Sequence, residues 1–213
     1  VGSDTPAIGP CRFGSSVQEI RPDSLVLGDG YVFDFDFVII ATGHTPLAPT
    51  RPIPTMPVRG QSIAIESSTA LGPVVGGPAS LIPVGGGRLL VGGTYANEDD
   101  DMAPRESDSK TLAAAAARLL GHEVDVSAAF TGIRCASRDR FPIAGRVPDW
   151  LALDDGHIAY DARTLVITGL GSHGATTSPL LGEYLARLVT GESACLPPAV
   201  RACLDPARFT RRG

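Results

Sequence analysis

The sequence predicts a mixed α/β fold: a nucleotide-binding type of parallel sheet, interrupted by an antiparallel sheet. Three stretches of the 213-residue chain carry this reading. Residues 164–168 are rich in β-branched residues and run into Gly169-Leu170-Gly171-Ser172-His173-Gly174, then into a helix over 175–188. Strand, glycine turn and helix in that order aim backbone N–H groups and a helix N-terminus at an anionic or electron-rich ligand. Residues 36–43 form a second apolar run ending in Ala41-Thr42-Gly43, the pattern of a strand buried on both faces. Residues 80–84 and 88–95, joined by Gly85-Gly86-Gly87, read as an antiparallel hairpin.

The remaining elements follow in chain order. Residues 1–14 are expected to be irregular, and residues 17–20, 25–27 and 31–33 to be short strands joined by Asp-Gly turns. Pro46, Pro49, Pro52, Pro54 and Pro57 make a proline-rich crossing, read as a domain junction. Residues 62–66 begin a second set of strands, and residues 97–101 form an acidic loop read as a solvated bend. Ser107 or Ser109 caps an alanine-rich helix that runs through Leu120 and closes at Gly121. Residues 128–145 mix strand and loop and are crowded with arginine; the last helix ends near Gly191, ahead of Pro197-Pro198.

A formal charge of −5 excludes a global positive field that would pull the chain onto nucleic acid. A local basic patch remains open, because Arg134, Arg138, Arg140 and Arg146 fall close together, whereas Arg208, Arg211 and Arg212 read as a solvated tail. The four cysteines, Cys11, Cys135, Cys195 and Cys203, form no C-x-x-C pair, so no zinc or other metal site is expected, and free thiols in a cytoplasmic setting are. No apolar run reaches the roughly 18 residues of a membrane span.

Chemistry concentrates in three segments. Glycine at the end of residues 38–43 allows close approach to a cofactor. Residues 132–145 place Arg134, Arg138 and Arg140 beside apolar anchors, and arginine grips a carboxylate with a fork of two hydrogen bonds. Arg138 and Asp139 are read either as substrate contacts or as an ion-pair network bracing a loop. Arg134, between Ile133 and Cys135, is expected to be buried and to need an anionic partner. The third segment is the glycine turn 169–179.

Together with Pro57-Val58-Arg59-Gly60-Gln61, the 81–95 hairpin and the tail Leu204-Asp205-Pro206-Ala207-Arg208-Phe209, these segments resemble the FAD-dependent oxidoreductases of the D-amino-acid-oxidase and glycine-oxidase type. Within that group the chain is similar to the C-terminal oxidoreductase domain of the bifunctional enzymes that make 5-methylaminomethyl-2-thiouridine in tRNA. The similarity runs from about residue 35 to the end. It implies an incomplete Rossmann-like FAD-binding domain (residues 1–52 and 161–213) enclosing an antiparallel-sheet substrate domain (residues 53–160). It also implies non-covalent FAD held by Thr42, Gly43, Gly169, Gly171, Ser172, His173, Gly174, Ala175 and Thr176, because Gly132 stands where some relatives tether flavin through cysteine; Cys135 reads as a buried thiol.

The implied reaction removes a carboxymethyl group, as glyoxylate, from a wobble uridine of tRNA. The implied catalytic residues are Arg134 and His173, with Arg134, Arg138 and Tyr95 binding substrate. His173 stands where many relatives carry a second arginine; it is either a second substrate contact or a loop histidine satisfied by backbone. An oxidase of glycine, sarcosine or a D-amino acid is the alternative. The family's Gly-x-Gly-x-x-Gly turn, its first βαβ unit and a methyltransferase half are missing from this sequence. With Val1 at its start, the chain is expected to be a fragment whose parent polypeptide carries those parts, or a non-catalytic remnant, and its first parallel strand to be uncovered.

Overall fold

The computed structural model describes residues 11–69, 71–152 and 158–210. In chain order its elements begin with β1 (Val17–Ile20), β2 (Ser24–Leu27), β3 (Val32–Asp34) and β4 (Val38–Ile40). They continue with β5 (Thr55–Glu66), β6 (Ser80–Gly85), β7 (Arg88–Gly92), β8 (Ala96–Asn97), α1 (Glu106–Leu120) and β9 (Val126–Ser137). The chain then forms β10 (Ile143–Pro148), β11 (Tyr160–Thr168), α2 (Gly174–Thr190) and α3 (Pro198–Leu204). The mixed fold with antiparallel sheets is as expected.

β1, β2 and β3 form an antiparallel meander, and its Asp-Gly turn works as the sequence implies: Asp29 accepts the Tyr31 N–H at 3.0 Å, and Gly30 sits at φ 82°. The second sheet has the order β10-β11-β4, with β11 parallel to β4 and antiparallel to β10. Leu165 and Ala144 face α2 and α3 through Leu181, Tyr184, Leu185 and Leu204, while Ile40, Ile143, Val147 and Val166 pack with Ile53 on the other side. Burial of β4 on both faces is corrected. The strand is three residues long and lies at the sheet edge, and Ile39 is 46% exposed. By sheet pairing, β10 belongs with β11 and β4, so the passage between sheets falls at the turn after Ser137.

The third sheet runs β6-β7-β5-β8, with β9 along β5. β5 starts at Thr55, well before residue 62, because Pro57 does not prevent pairing with Cys135. Its alternation has physical content. Arg59, Gln61, Ile63 and Ile65 are buried, and Ile63 and Ile65 join Leu112, Ala115 and Ala116 of α1 in one core. The alanine run lets α1 lie close to the strands.

Arg59 has no solvent exposure, and each of its three guanidinium nitrogens donates a hydrogen bond. It donates to Asp108 Oδ2 at 2.5 Å, to the carbonyls of Asp101 at 2.8 Å and Ala103 at 2.7 Å, and to Gln61 Oε1 at 3.0 Å. Gln61 in turn accepts the Arg105 N–H at 2.7 Å and donates to Arg105 O and Ser109 Oγ. This corrects two expectations. The helix is not capped by Ser107 or Ser109: Arg105 holds the N-cap position with no side-chain cap of its own, and a glutamine from β5 satisfies the exposed backbone. Nor is the acidic loop simply solvated, since Asp99 and Asp101 hold Arg105 at 2.6 and 3.0 Å. The hydrogen bond from Arg105 lowers the Asp99 carboxyl below its usual range; the Ala103 N–H, then Arg105, do the same for Asp101. Gly121 closes α1 in the left-handed conformation, as expected.

Removing one partner of a buried ion pair leaves the other charge uncompensated. Asp108→Asn is therefore expected to cost about 3 kcal/mol, read as a lower urea midpoint with unchanged slope; an unchanged midpoint would show that the carbonyls alone satisfy Arg59.

Candidate active site

Residues directly opposite on antiparallel strands share a face. Gly60 pairs with Gly132 and Val58 with Arg134, so the face of β5 and β9 turned away from α1 carries a floor without side chains. The Arg134 guanidinium lies across it: a Cβ at Gly60 would stand 2.6 Å from its central carbon, and one at Gly93 would stand 3.3 Å from Nη2. Gly132 has open space in front of it. Arg134 donates to the Thr94 carbonyl at 3.3 Å and sits 5.1 Å above the Tyr95 ring. It is half-buried where full burial was expected, and among the described residues it has no carboxylate partner.

The glycine turn meets this floor directly. The Tyr95 hydroxyl and Ser172 Oγ are 3.4 Å apart, and Ala136 forms a β-bridge with Leu170. Gly169 has φ 64°, and a Cβ there would press on Ser137 at 3.1 Å, so glycine is required twice over. Beneath it, Thr168 Oγ1 donates to the Gly43 carbonyl at 3.2 Å and contacts Cys135 Sγ at 3.3 Å. Cys135 is a buried thiol, as expected. Gly43 therefore joins the turn through Thr168, and with Thr42, Thr50 and Val166 the two line a narrow crevice.

Gly171, Ser172, His173, Gly174, Ala175 and Thr176 form the turn and first turn of α2, whose N-terminus has no side-chain cap. Ser172, His173, Ala175 and Thr176 are exposed. The His173 carbonyl accepts from Thr176 and Thr177, and the ring has no hydrogen-bond partner among the described residues. The structure thus brings Arg134, Tyr95, Ser172, Gly169 and Gly43 to one seam. Arg138 is not among them: it faces solvent on the turn between β9 and β10. Gly60, Thr94 and Thr168 were missed as site residues; the period-two pattern of β5, with Arg59 and Gln61 on one face, was the signal that Gly60 lies on the other.

That turn is braced by an arginine–aspartate pair, but not the expected one. Asp139 pairs with Arg208 through two 2.8 Å hydrogen bonds and also accepts from Ser137 and the Phe141 N–H. Arg208, with its side chain only 10% exposed, is no solvated tail residue; Arg211 and Arg212 lie outside the described residues. The Arg208 hydrogen bond is the main cause that holds the Asp139 carboxyl down to about 2.

The fold matches known proteins. Residues 9–188 match the FAD dependent oxidoreductase family. The chain belongs to that family. It is 35% identical over 180 residues to the tRNA 5-methylaminomethyl-2-thiouridine biosynthesis bifunctional protein of Methylibium petroleiphilum, covering 74% of this chain and 28% of that one. Its counterpart in Chromobacterium violaceum is 33% identical over 193 residues, covering 76% of this chain and 28% of that protein. Glycine oxidase from Geobacillus kaustophilus superposes with a TM-score of 0.72 at 24% identity, over 87% of this chain and 50% of that one. L-proline dehydrogenase from P. horikoshii superposes with a TM-score of 0.70 at 20% identity, over 92% of this chain and 54% of that one. The chain thus spans under a third of those bifunctional relatives and about half of the solved enzymes.

The cofactor that the family name specifies fits the seam. At Gly132 the face of β9 is open where a side chain would stand in the way, and the uncapped α2 N-terminus offers N–H donors to an electron-rich ring edge. Among the described residues no cluster of three or more histidine, cysteine, aspartate or glutamate side chains forms a metal site, and no helix is long and apolar enough to cross a membrane.

Because the folded Asp139 carboxyl titrates near 2, below the unfolded value of about 4, its contribution to stability is complete above about pH 4 and is lost as pH falls through about 2. Carboxyl NMR titration checks this: Arg208→Gln is expected to return Asp139 toward the ordinary value and to remove that part of the acid dependence.

Proposed function

We propose that this chain is the flavin- and substrate-contacting part of an oxidoreductase that removes the carboxymethyl group of 5-carboxymethylaminomethyl-(2-thio)uridine at the tRNA wobble position. The observation that carries this reading is the Arg134 guanidinium, half-buried on a side-chain-free floor with no carboxylate partner among the described residues. A cation in that setting favours an incoming carboxylate, and the carboxymethylamino group supplies one. The similarity to the bifunctional tRNA-modifying proteins supports the same substrate.

When bound, non-covalently, FAD would accept a hydride from the carbon between carboxylate and amine, and water would then split the resulting imine into glyoxylate and the aminomethyl uridine. The chain's own residues position that step. Arg134 forks onto the carboxylate, Tyr95 supports Arg134 from below, and the Ser172 hydroxyl holds Tyr95 in place. Thr42, Gly43, Gly169, Gly171, Ser172, His173, Gly174, Ala175 and Thr176 hold the cofactor, and His173 offers one ring N–H toward substrate. The domain limits expected above, a methyltransferase domain in the parent polypeptide and a cytoplasmic setting belong to the same proposal.

Two measurements test it. Titration of the chain with FAD, followed by flavin fluorescence, shows whether these residues hold the cofactor without further chain. In the flavin-loaded parent protein, Arg134→Gln is expected to raise KM for modified tRNA about 100-fold, the scale of a lost charged carboxylate contact, with a smaller change in kcat. Gly60→Ala should mimic it by displacing the guanidinium. Glyoxylate from free glycine, with none from tRNA, would instead establish a small-molecule amine oxidase.

A further inference from the structure

We infer that the turn from Arg138 to Phe141 is an RNA-contacting tip that guides a tRNA loop into the site, an inference that rests on the tRNA reading above. The basic patch suspected in the sequence resolves into two kinds of arginine. Arg134 sits in the site, Arg146 is spent inside the protein on the Ala162 and Leu188 carbonyls, and Arg208 neutralises Asp139. Arg138 and Arg140 remain: both are exposed, and neither has a carboxylate partner among the described residues. The carboxylate between them is already paired, so the tip presents two positive charges on a chain whose formal charge is −5.

The tip is rigid. The Arg140 N–H closes the turn onto the Ser137 carbonyl at 3.1 Å. Asp139 binds Ser137 Oγ and the Phe141 N–H, and Arg208 holds the Phe141 carbonyl at 2.8 Å. With the backbone pinned on both sides, the Phe141 ring is nevertheless 57% exposed. Arg140 has φ 63°, a left-handed conformation that glycine or asparagine adopts more easily. Strain of this kind persists where surrounding structure imposes it, and it points to a use for the side chain it presents.

The location fits a macromolecular substrate. Ser137, the first residue of the turn, touches Gly169, and Ala136 bridges Leu170, so the tip rises beside the glycine turn of the site. Arg138 lies four residues beyond Arg134, roughly 13 Å along an extended chain. A nucleotide whose carboxymethyl group reaches Arg134 would bring its flanking phosphates toward the tip. Guanidinium groups bind phosphate oxygens, and an exposed aromatic ring stacks on an unpaired base whatever its identity. An anticodon loop offers both. Arg138, expected above to touch the small substrate group, is assigned here to the RNA backbone.

The test is fluorescence anisotropy of a labelled anticodon stem-loop against the parent protein, from about 50 to 200 mM salt. Arg138→Gln/Arg140→Gln is expected to weaken binding about tenfold at low salt and to flatten the log–log salt slope by between one and two. Phe141→Leu should weaken binding several-fold and leave the slope alone. Arg140→Gly separates contact from scaffold: it should weaken RNA binding while the melting temperature stays at or above the parental value, because the left-handed strain is relieved. Wild-type RNA binding with all three variants unaffected would overturn the tip and leave the tRNA reading standing. Failure of the wild-type protein to bind the RNA, with oxidation of free glycine intact, would overturn both. Equal competition by an acidic peptide would reassign the tip to a protein partner.

Discussion

A guanidinium cut off from water must find its hydrogen bonds inside the protein, and Arg59 finds them in three separate pieces of chain. Asp108 comes from the first turn of α1, the Asp101 and Ala103 carbonyls from the loop before it, and Gln61 from the same strand. Each of those groups would be costly to bury unpaired. Together they hold the helix, the acidic loop and β5 in one register. The consequence reaches the opposite face. Since side chains alternate along a strand, placing Arg59 and Gln61 under α1 places Gly60 above, opposite Gly132, and leaves the floor on which Arg134 lies. A one-residue slip would move the cation into the site and the glycine into the core.

The site itself is a seam between two sheets rather than a cavity within one. Three small links close it: Thr168 to Gly43 and Cys135, Ala136 to Leu170, and Ser172 to Tyr95. All three involve residues at or just past strand ends, where backbone groups are free to pair outside their own ladder. The glycine turn is shaped by contact as much as by conformation, because Gly169 has Ser137 and Ile143 against it. The residues proposed to hold the cofactor, from the mixed sheet, and those proposed to grip a carboxylate, from the antiparallel sheet, thereby lie side by side along the seam.

How much of this was legible depended on how local the cause was. The strand–turn–helix at Thr168 to Gly174, the Gly85–Gly87 hairpin and the end of α1 at Gly121 each follow from a few neighbouring residues, and each was readable. β5 was read short because prolines at 52, 54 and 57 mask its start, and only its partner β9 shows that Pro57 sits where the ladder tolerates it. The Arg105 N-cap was unreadable for a related reason: the group that serves it, Gln61, lies 44 residues away. Asp139 was recognised as an ion-pairing residue, but its neighbour Arg138 was the obvious partner and the distant Arg208 the real one. Ile39 defeated the burial rule because β4 lies at the edge of its sheet, and a continuous apolar run does not by itself bring a layer against both faces of a strand.

The three arginines of β9 and its turn, with Arg208, show how one sequence feature divides into different electrostatic roles. Asp139 is held far below its ordinary titration range because Arg208 spends its charge there. Had Arg138 or Arg140 made that pair, the turn would be braced equally well and would carry less free charge. Recruiting the partner from the C-terminal tail instead closes the tail onto the sheet and leaves both local guanidiniums to solvent. Arg134 reaches the same outcome by another route. It is supported by an aromatic face and a carbonyl, which orient a cation without neutralising it. An anion entering the seam therefore meets a charge already partly desolvated and oriented, which reduces the reorganisation that weakens such contacts in water.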